Sequence, residues 1–174
     1  MKQAFTVWLT GLSGAGKSTL GQAIVNFLKE RQQPVQLLDG DIVRNEIGHL
    51  FGYSKEERMK MSKVIRFTSK MLNQNGTIVV VAAIAPYQEM REANRKEMPD
   101  YLEIFVNCPL AECIKRDTKG MYKKAIQGEM KNVVGIDDVY EIPQSHDLEV
   151  NTSLETIDQS MEKIAVLLEA RLGS

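Results

Sequence analysis

The sequence predicts an α/β fold, a five-stranded parallel sheet with helices on both faces. Three observations carry that expectation. The pattern G-x-x-x-x-G-K-S, from Gly11 to Ser18, stands between a strand-like run and a helix-forming run. The stretch from Ile78 to Ile84 is apolar throughout, as in strands covered on both faces. Strand-like and helix-like runs then alternate along the chain, which is the signature of crossover connections.

The elements follow in order. Thr6, Val7, Trp8 and Leu9 are apolar or β-prone and give a first strand over residues 4–9. The glycine-rich turn ends in a helix over 17–31. A second strand, 34–38, runs into Asp39-Gly40-Asp41 and a helix over 41–50. A longer helical pattern covers 55–75. The apolar run makes a third strand, 77–84. Helix 88–97, strand 101–107 and helix 110–116 come next. A short strand at 148–151 and a helix from about 154 to 171 close the alternation. Residues 117–144 stand outside it. They carry Lys119, Lys123, Lys124 and Lys131, with Lys115 just before, and glycines 120, 128 and 135. No apolar period there is long enough for a core element. The segment reads as a basic lid closing over phosphates, with a solvated basic loop as the plain alternative.

Composition narrows the function classes. A chain of 174 residues suits one domain, here 1–174, and 43% hydrophobic with 26% charged residues is ordinary for a globular protein. The net charge of -1 offers no electrostatic footprint for nucleic acid or an anionic membrane. No run is apolar enough to span a bilayer, and the chain enters its first strand almost at once, so a cytoplasmic protein is expected. Cys108 and Cys113 have no histidine or cysteine cluster around them and read as small core residues. His49 and His146 stand alone and read as surface or capping residues.

The Gly11–Ser18 loop carries the chemistry. Its glycines let backbone N–H groups curl around a phosphate, and the following helix adds its positive end. Gly11, Leu12, Ser13, Gly14, Ala15, Gly16, Lys17, Ser18 and Thr19 are thus candidate ATP-binding residues. Lys17 would reach the β- and γ-phosphates, and the Ser18 hydroxyl would ligate Mg²⁺. Asp39 and Asp41 lie at a strand end, where ligands gather in such sheets. One could serve the metal through water and the other could take the proton of an attacking hydroxyl. Asp41 also suits the N-cap of a helix starting near Ile42, whereas Asp39 is harder to explain as a cap. Arg44, one helical turn on, suits a bidentate grip on an anionic substrate. Asp117-Thr118-Lys119-Gly120 matches the D-x-x-G of GTPases, but no N-K-x-D follows, so a small-molecule kinase is the economical reading.

These motifs together resemble the adenylylsulfate (APS) kinase family. The likeness rests on Gly11 to Leu20, on Leu38-Asp39-Gly40-Asp41 with Arg44, and on Gly52-Tyr53-Ser54 with Arg58. It continues in Pro86-Tyr87 with Arg91 and Arg95, in Arg116 to Ala125, and in Gly135-Ile136-Asp137 with Tyr140-Glu141 and Pro143. The resemblance implies a P-loop kinase fold, Mg²⁺-ATP as donor, the ribose 3′-hydroxyl of adenylyl sulfate as acceptor, and a homodimer. It implies Asp41, with Asp39 as the other candidate, at the 3′-hydroxyl. Arg44, Arg58 and Lys119 would hold the acceptor, with Tyr53, Ile84, Ala85 and Val133 around it, and Arg116 would lie near the ATP base. The chain departs from the family pattern at Ile42, Met61, Lys63, Ala85 and Val133. Val133 stands where a lid phenylalanine would form an adenine sandwich with the aromatic at 53. Losing one such face is worth about 1–3 kcal/mol. Two alternatives therefore stay open: a same-fold kinase for another nucleotide such as cytidine diphosphoramidate, and a nucleotide-binding regulator without catalysis.

Overall fold

The computed structural model describes residues 4–173, so Met1 to Gln3 and Ser174 of the expected 1–174 domain lie outside the described residues. The strands are β1 (Thr6–Thr10), β2 (Val35–Asp39), β3 (Ile78–Ala82), β4 (Tyr101–Asn107) and β5 (Leu148–Asn151). The helices are α1 (Lys17–Glu30), α2 (Gly40–Ile47), α3 (Lys55–Gln74), α4 (Gln88–Glu97), α5 (Leu110–Arg116), α6 (Met121–Ile126) and α7 (Ile157–Leu172). The strands pair in the order β2-β3-β1-β4-β5, all parallel, with β1 in the middle. This is the predicted five-stranded sheet.

Alternation along the strands sorts the core onto two faces. Val7, Leu9, Val80, Ile104 and Val106 point to one side and pack with Ile24 and Leu28 of α1 and Ile164 and Leu168 of α7. Trp8, Val79, Val81 and Tyr101 point to the other and meet Met61 and Ile65 of α3 and Met90 of α4. Trp8, the single tryptophan, is 1% exposed. Its indole N–H donates to the Ala83 carbonyl at 3.2 Å. Cys108 and Cys113 are buried free thiols, as expected. Among the described residues no helix is long and apolar enough to cross a membrane.

Several boundaries differ from the sequence reading. β3 stops at Ala82, and beyond it the carbonyls of Ala83 and Ile84 accept side-chain bonds from Trp8 and Thr10. The expected helix 41–50 breaks into α2 and a 3₁₀ turn, Gly48–Leu50. α7 begins at Ile157 rather than near 154, since Thr156 and Gln159 form a capping box that fixes its start. Within 117–144, read as lacking any core element, the chain forms α6 and buries Tyr122, Val133 and Val134.

Candidate active site

The carboxyl ends of β1, β2 and β3 open onto a cavity of about 360 Å³. Its polar wall is the loop between β1 and α1. Gly14 and Gly16 adopt φ of +78° and +97°, where a side chain would be strained. At Gly11 an added Cβ would collide with the Val106 carbonyl oxygen of β4, so the loop is pressed against the sheet.

Lys17 opens α1 and is only 9% exposed. Its Nζ donates to the Leu12 carbonyl at 2.7 Å. Burial, reinforced by the Lys119 cation, lowers its pKa from 10.5 to about 8. The Ser18 hydroxyl donates to Asp39 Oδ2 at 2.5 Å, and Asp39 Oδ1 accepts the Asp41 N–H at 2.8 Å. Asp39 is therefore the N-cap of α2, and the sequence expectation that Asp41 suits the cap better is reversed. Asp39 is 7% exposed and spent on Ser18 and α2, whereas Asp41 lines the cavity and pairs with Lys119. Ser18 and Asp39 together offer hard oxygen donors, the kind Mg²⁺ takes alongside nucleotide phosphates and water. No cluster of three or more histidine, cysteine, aspartate or glutamate residues placed to hold a metal occurs among the described residues.

The opposite wall belongs to α2, α3 and the segment after β3. Arg44 donates to the Gly52 carbonyl at 3.0 Å, and its guanidinium lies 4.3 Å from the Tyr53 ring centroid. Arg58 donates to the carbonyls of Tyr53 at 3.0 Å and Asn132 at 2.7 Å, and stands 3.5 Å from Asp138. Burial lowers the Arg58 pKa, and a guanidinium keeps its charge in a protein all the same. Deeper in, the wall is apolar: Met61, Ile65, Met90, Ile84, Ala85 and Trp8.

The basic segment borders the cavity at its start. Thr118 and Lys119 line it, and Arg116 reaches Gly14 O at 3.3 Å and Thr152 O at 2.8 Å. The Tyr122 hydroxyl donates to the Ser13 carbonyl at 3.0 Å, binding α6 to the loop between β1 and α1. The far end is stitched to the turn after β3. Tyr87 donates to Asp138 at 2.7 Å, Glu141 N–H to Pro86 O at 2.8 Å, and the Gln88 N–H to the Glu141 carboxylate. Arg91, 3% exposed, spans the seam with bonds to Ala85 O at 2.7 Å and Glu141 O at 2.6 Å. Ala85 holds a φ of +44°, and the Arg91 bond fixes it.

Of the candidates named from sequence, Ser13, Gly14, Gly16, Lys17, Ser18, Thr19, Asp41, Arg44, Arg58, Ile84, Ala85, Arg116 and Lys119 line one cavity. Gly11, Leu12, Ala15 and Asp39 support it from behind, and Tyr53 sits outside its lining beneath Arg44 and Arg58. Val133 is 0% exposed, packs into the main core and is not among the residues lining the cavity. The sequence reading missed Trp8, Ser62, Ile65 and Met90. The 58-62-65 spacing on a helix was the available signal for two of them.

The comparisons agree with this geometry. A model of the adenylylsulphate kinase family matches residues 3–151. An adenylyl-sulfate kinase of Gloeothece citriformis is 48% identical over 165 residues, 94% of each chain. One from Halothermothrix orenii is 42% identical over 170 residues, 98% of this chain and 92% of that one. The Mycobacterium tuberculosis APS kinase, solved with AMPPNP and APS, superposes with a TM-score of 0.92 at 34% identity, over 97% of this chain and 99% of that one. With this fold, this cavity and these relatives, the chain belongs to the adenylylsulphate kinase family.

Proposed function

We propose that this protein transfers the γ-phosphoryl group of ATP to the ribose 3′-hydroxyl of adenylyl sulfate, giving 3′-phosphoadenylyl sulfate and ADP. The observation that carries the reading is Asp41. It stands free of the α2 cap on the cavity wall that also holds Lys17 and Ser18 of the phosphate loop, and two arginines lie beyond it. A hydroxyl placed between Asp41 and Lys17 would have an acceptor for its proton on one side and the γ-phosphate on the other.

The roles follow from the placement. The loop from Gly11 to Thr19 cradles the phosphates, and Arg116 borders the ATP base. Lys17 carries positive charge to the transferring oxygens. Ser18, with Asp39 through water, would hold Mg²⁺, which would supply charge neutralisation at the phosphates. Asp41 orients the 3′-hydroxyl and accepts its proton. Arg44, Arg58 and Lys119 hold the acceptor's anionic groups. The segment 117–144 acts as the lid, with Lys119 exchanging Asp41 for substrate on binding. Direct in-line transfer is the route, since Ala85 offers no hydroxyl at its position. The protein works in the cytoplasm, as a homodimer.

The test incubates the protein with Mg²⁺-ATP and a panel of adenylyl sulfate, cytidine diphosphate derivatives and other nucleotides, and measures ADP and 3′-phosphorylated product. Product from adenylyl sulfate alone is expected. ADP formed with a cytidine nucleotide and not with adenylyl sulfate would refute the acceptor, and no ADP with any acceptor would refute the kinase.

A further inference from the structure

Three successive carbonyls of the loop between β1 and α1 are held by side chains from other elements. The Tyr122 hydroxyl of α6 donates to Ser13 O at 3.0 Å, Arg116 of α5 to Gly14 O at 3.3 Å, and the Thr152 hydroxyl, just past β5, to Ala15 O at 2.7 Å. Arg116 also donates to Thr152 O at 2.8 Å and so holds Thr152 in place. Tyr122 is 1% exposed, and neither it nor Thr152 lines the cavity that Ser13, Gly14 and Gly16 line. The Ser13 and Ala15 carbonyls therefore point away from the cavity. A peptide unit is planar and trans, with C=O and N–H on opposite sides, so the Gly14 and Gly16 N–H groups point back toward it. Burial alternates in step: Ser13 and Ala15 are buried, and Gly14 and Gly16 are half-buried. Neither glycine N–H has an acceptor among the described residues, whereas the Ala15 N–H between them is taken by Leu12 O at 3.2 Å. Two unpaired donors beside Lys17 suit an anion.

The planes held by Tyr122 and Thr152 are also the ones most able to turn over. A peptide plane flips by rotation about ψ of the residue before it and φ of the residue after it. Both planes precede a glycine, at φ of +78° and +97°, and glycine accepts φ on either side of zero. A flipped plane would present its carbonyl oxygen to the phosphates in place of its N–H, exchanging attraction for repulsion. Each flip must first break the bond to Tyr122 or to Thr152. We propose that Tyr122 and Thr152 are positioning residues for phosphoryl transfer: they hold the Ser13 and Ala15 carbonyls outward and so keep the Gly14 and Gly16 N–H groups aimed at the phosphates of ATP. The proposal rests on ATP as the donor and is independent of the acceptor. It places one of the two anchors in the segment 117–144, so the base of the lid also shapes the phosphate cradle.

Packing alone would be served by phenylalanine at 122 and by valine at 152, and those substitutions are the test. Calorimetry with Mg²⁺-ATP and amide NMR spectra are recorded for wild type, Tyr122→Phe, Thr152→Val and Thr152→Ser, alongside thermal unfolding. In wild type, Mg²⁺-ATP shifts the Gly14 and Gly16 amide resonances. In Tyr122→Phe the Kd for Mg²⁺-ATP rises about tenfold, the weight of one hydrogen bond to a charged group, and the shift shrinks at Gly14 while Gly16 keeps its own. Thr152→Val gives the same loss of affinity with the shrinkage at Gly16, and Thr152→Ser keeps the wild-type affinity. An unchanged Kd in Tyr122→Phe or in Thr152→Val, even with a lower unfolding temperature, marks a structural role and overturns the proposal for that residue. Lost affinity with both glycine shifts as in wild type overturns the peptide-plane argument. Wild type that binds no Mg²⁺-ATP overturns the donor reading and this proposal with it.

Discussion

Lys17 is held in the ligand-free protein at a stability cost, and removing it should show that cost directly. The lowering of its pKa from 10.5 to about 8 corresponds to about 3 kcal/mol. Lys17→Met keeps the length and apolar stem of the side chain and deletes the charge. It also deletes the 2.7 Å bond to the Leu12 carbonyl, worth about 1 kcal/mol. The variant should therefore be more stable than wild type at pH 7 by about 2 kcal/mol. The sign follows from proton counts. Between about pH 8 and 10.5 folded Lys17 binds fewer protons than the unfolded chain does, so its penalty is full below about pH 8 and fades as pH rises to 10.5. Urea unfolding of both proteins at pH 7 and pH 10 should show the advantage shrinking at the higher pH. Mg²⁺-ATP should stabilise wild type and not the variant, and turnover should fall by about 10²–10³-fold or more. A variant less stable than wild type at pH 7, or an advantage independent of pH, would refute the argument from burial.

Other expectations test the rest of the site. Asp41→Asn should lower kcat by about 10²–10⁴-fold with little change in ATP affinity measured by calorimetry, because the role proposed for Asp41 is on the acceptor. Val133→Phe should not rebuild an aromatic sandwich. A larger ring at a 0% exposed position overpacks the core and costs about 1–3 kcal/mol in urea unfolding. Gly11→Ala should lower both the unfolding temperature and the stabilisation by Mg²⁺-ATP, since its Cβ meets the Val106 carbonyl.

The parts legible in sequence were those set by local pattern. β4, β5, α4 and α5 fall at the expected bounds because apolar runs and punctuating residues frame them. The phosphate loop was legible because its glycines answer a backbone requirement. The segment 117–144 was misread because its burial is long-range. Tyr122 is buried by reaching Ser13, and Val133 by packing in the main core, partners that neither residue's neighbours announce. The cap of α2 was assigned to Asp41 instead of Asp39 for a similar reason. The sequence shows two carboxylates around a glycine, but only the placement of Ser18 beside β2 shows which one is engaged.

The central place of β1 bears on how the protein is made. Of the five strands it is synthesised first, yet both its neighbours, β3 and β4, lie far downstream, 73 positions on in the pair Thr6↔Val79 and 95 in Thr10↔Phe105. The phosphate loop leans on the same late elements, through Gly11 N–H to Ile84 O and the close approach to Val106. Such non-local pairings must wait for the loop between them to close. A nascent chain on the ribosome therefore displays the whole nucleotide motif long before it can grip a nucleotide, and competence arrives only once β4 has left the exit tunnel.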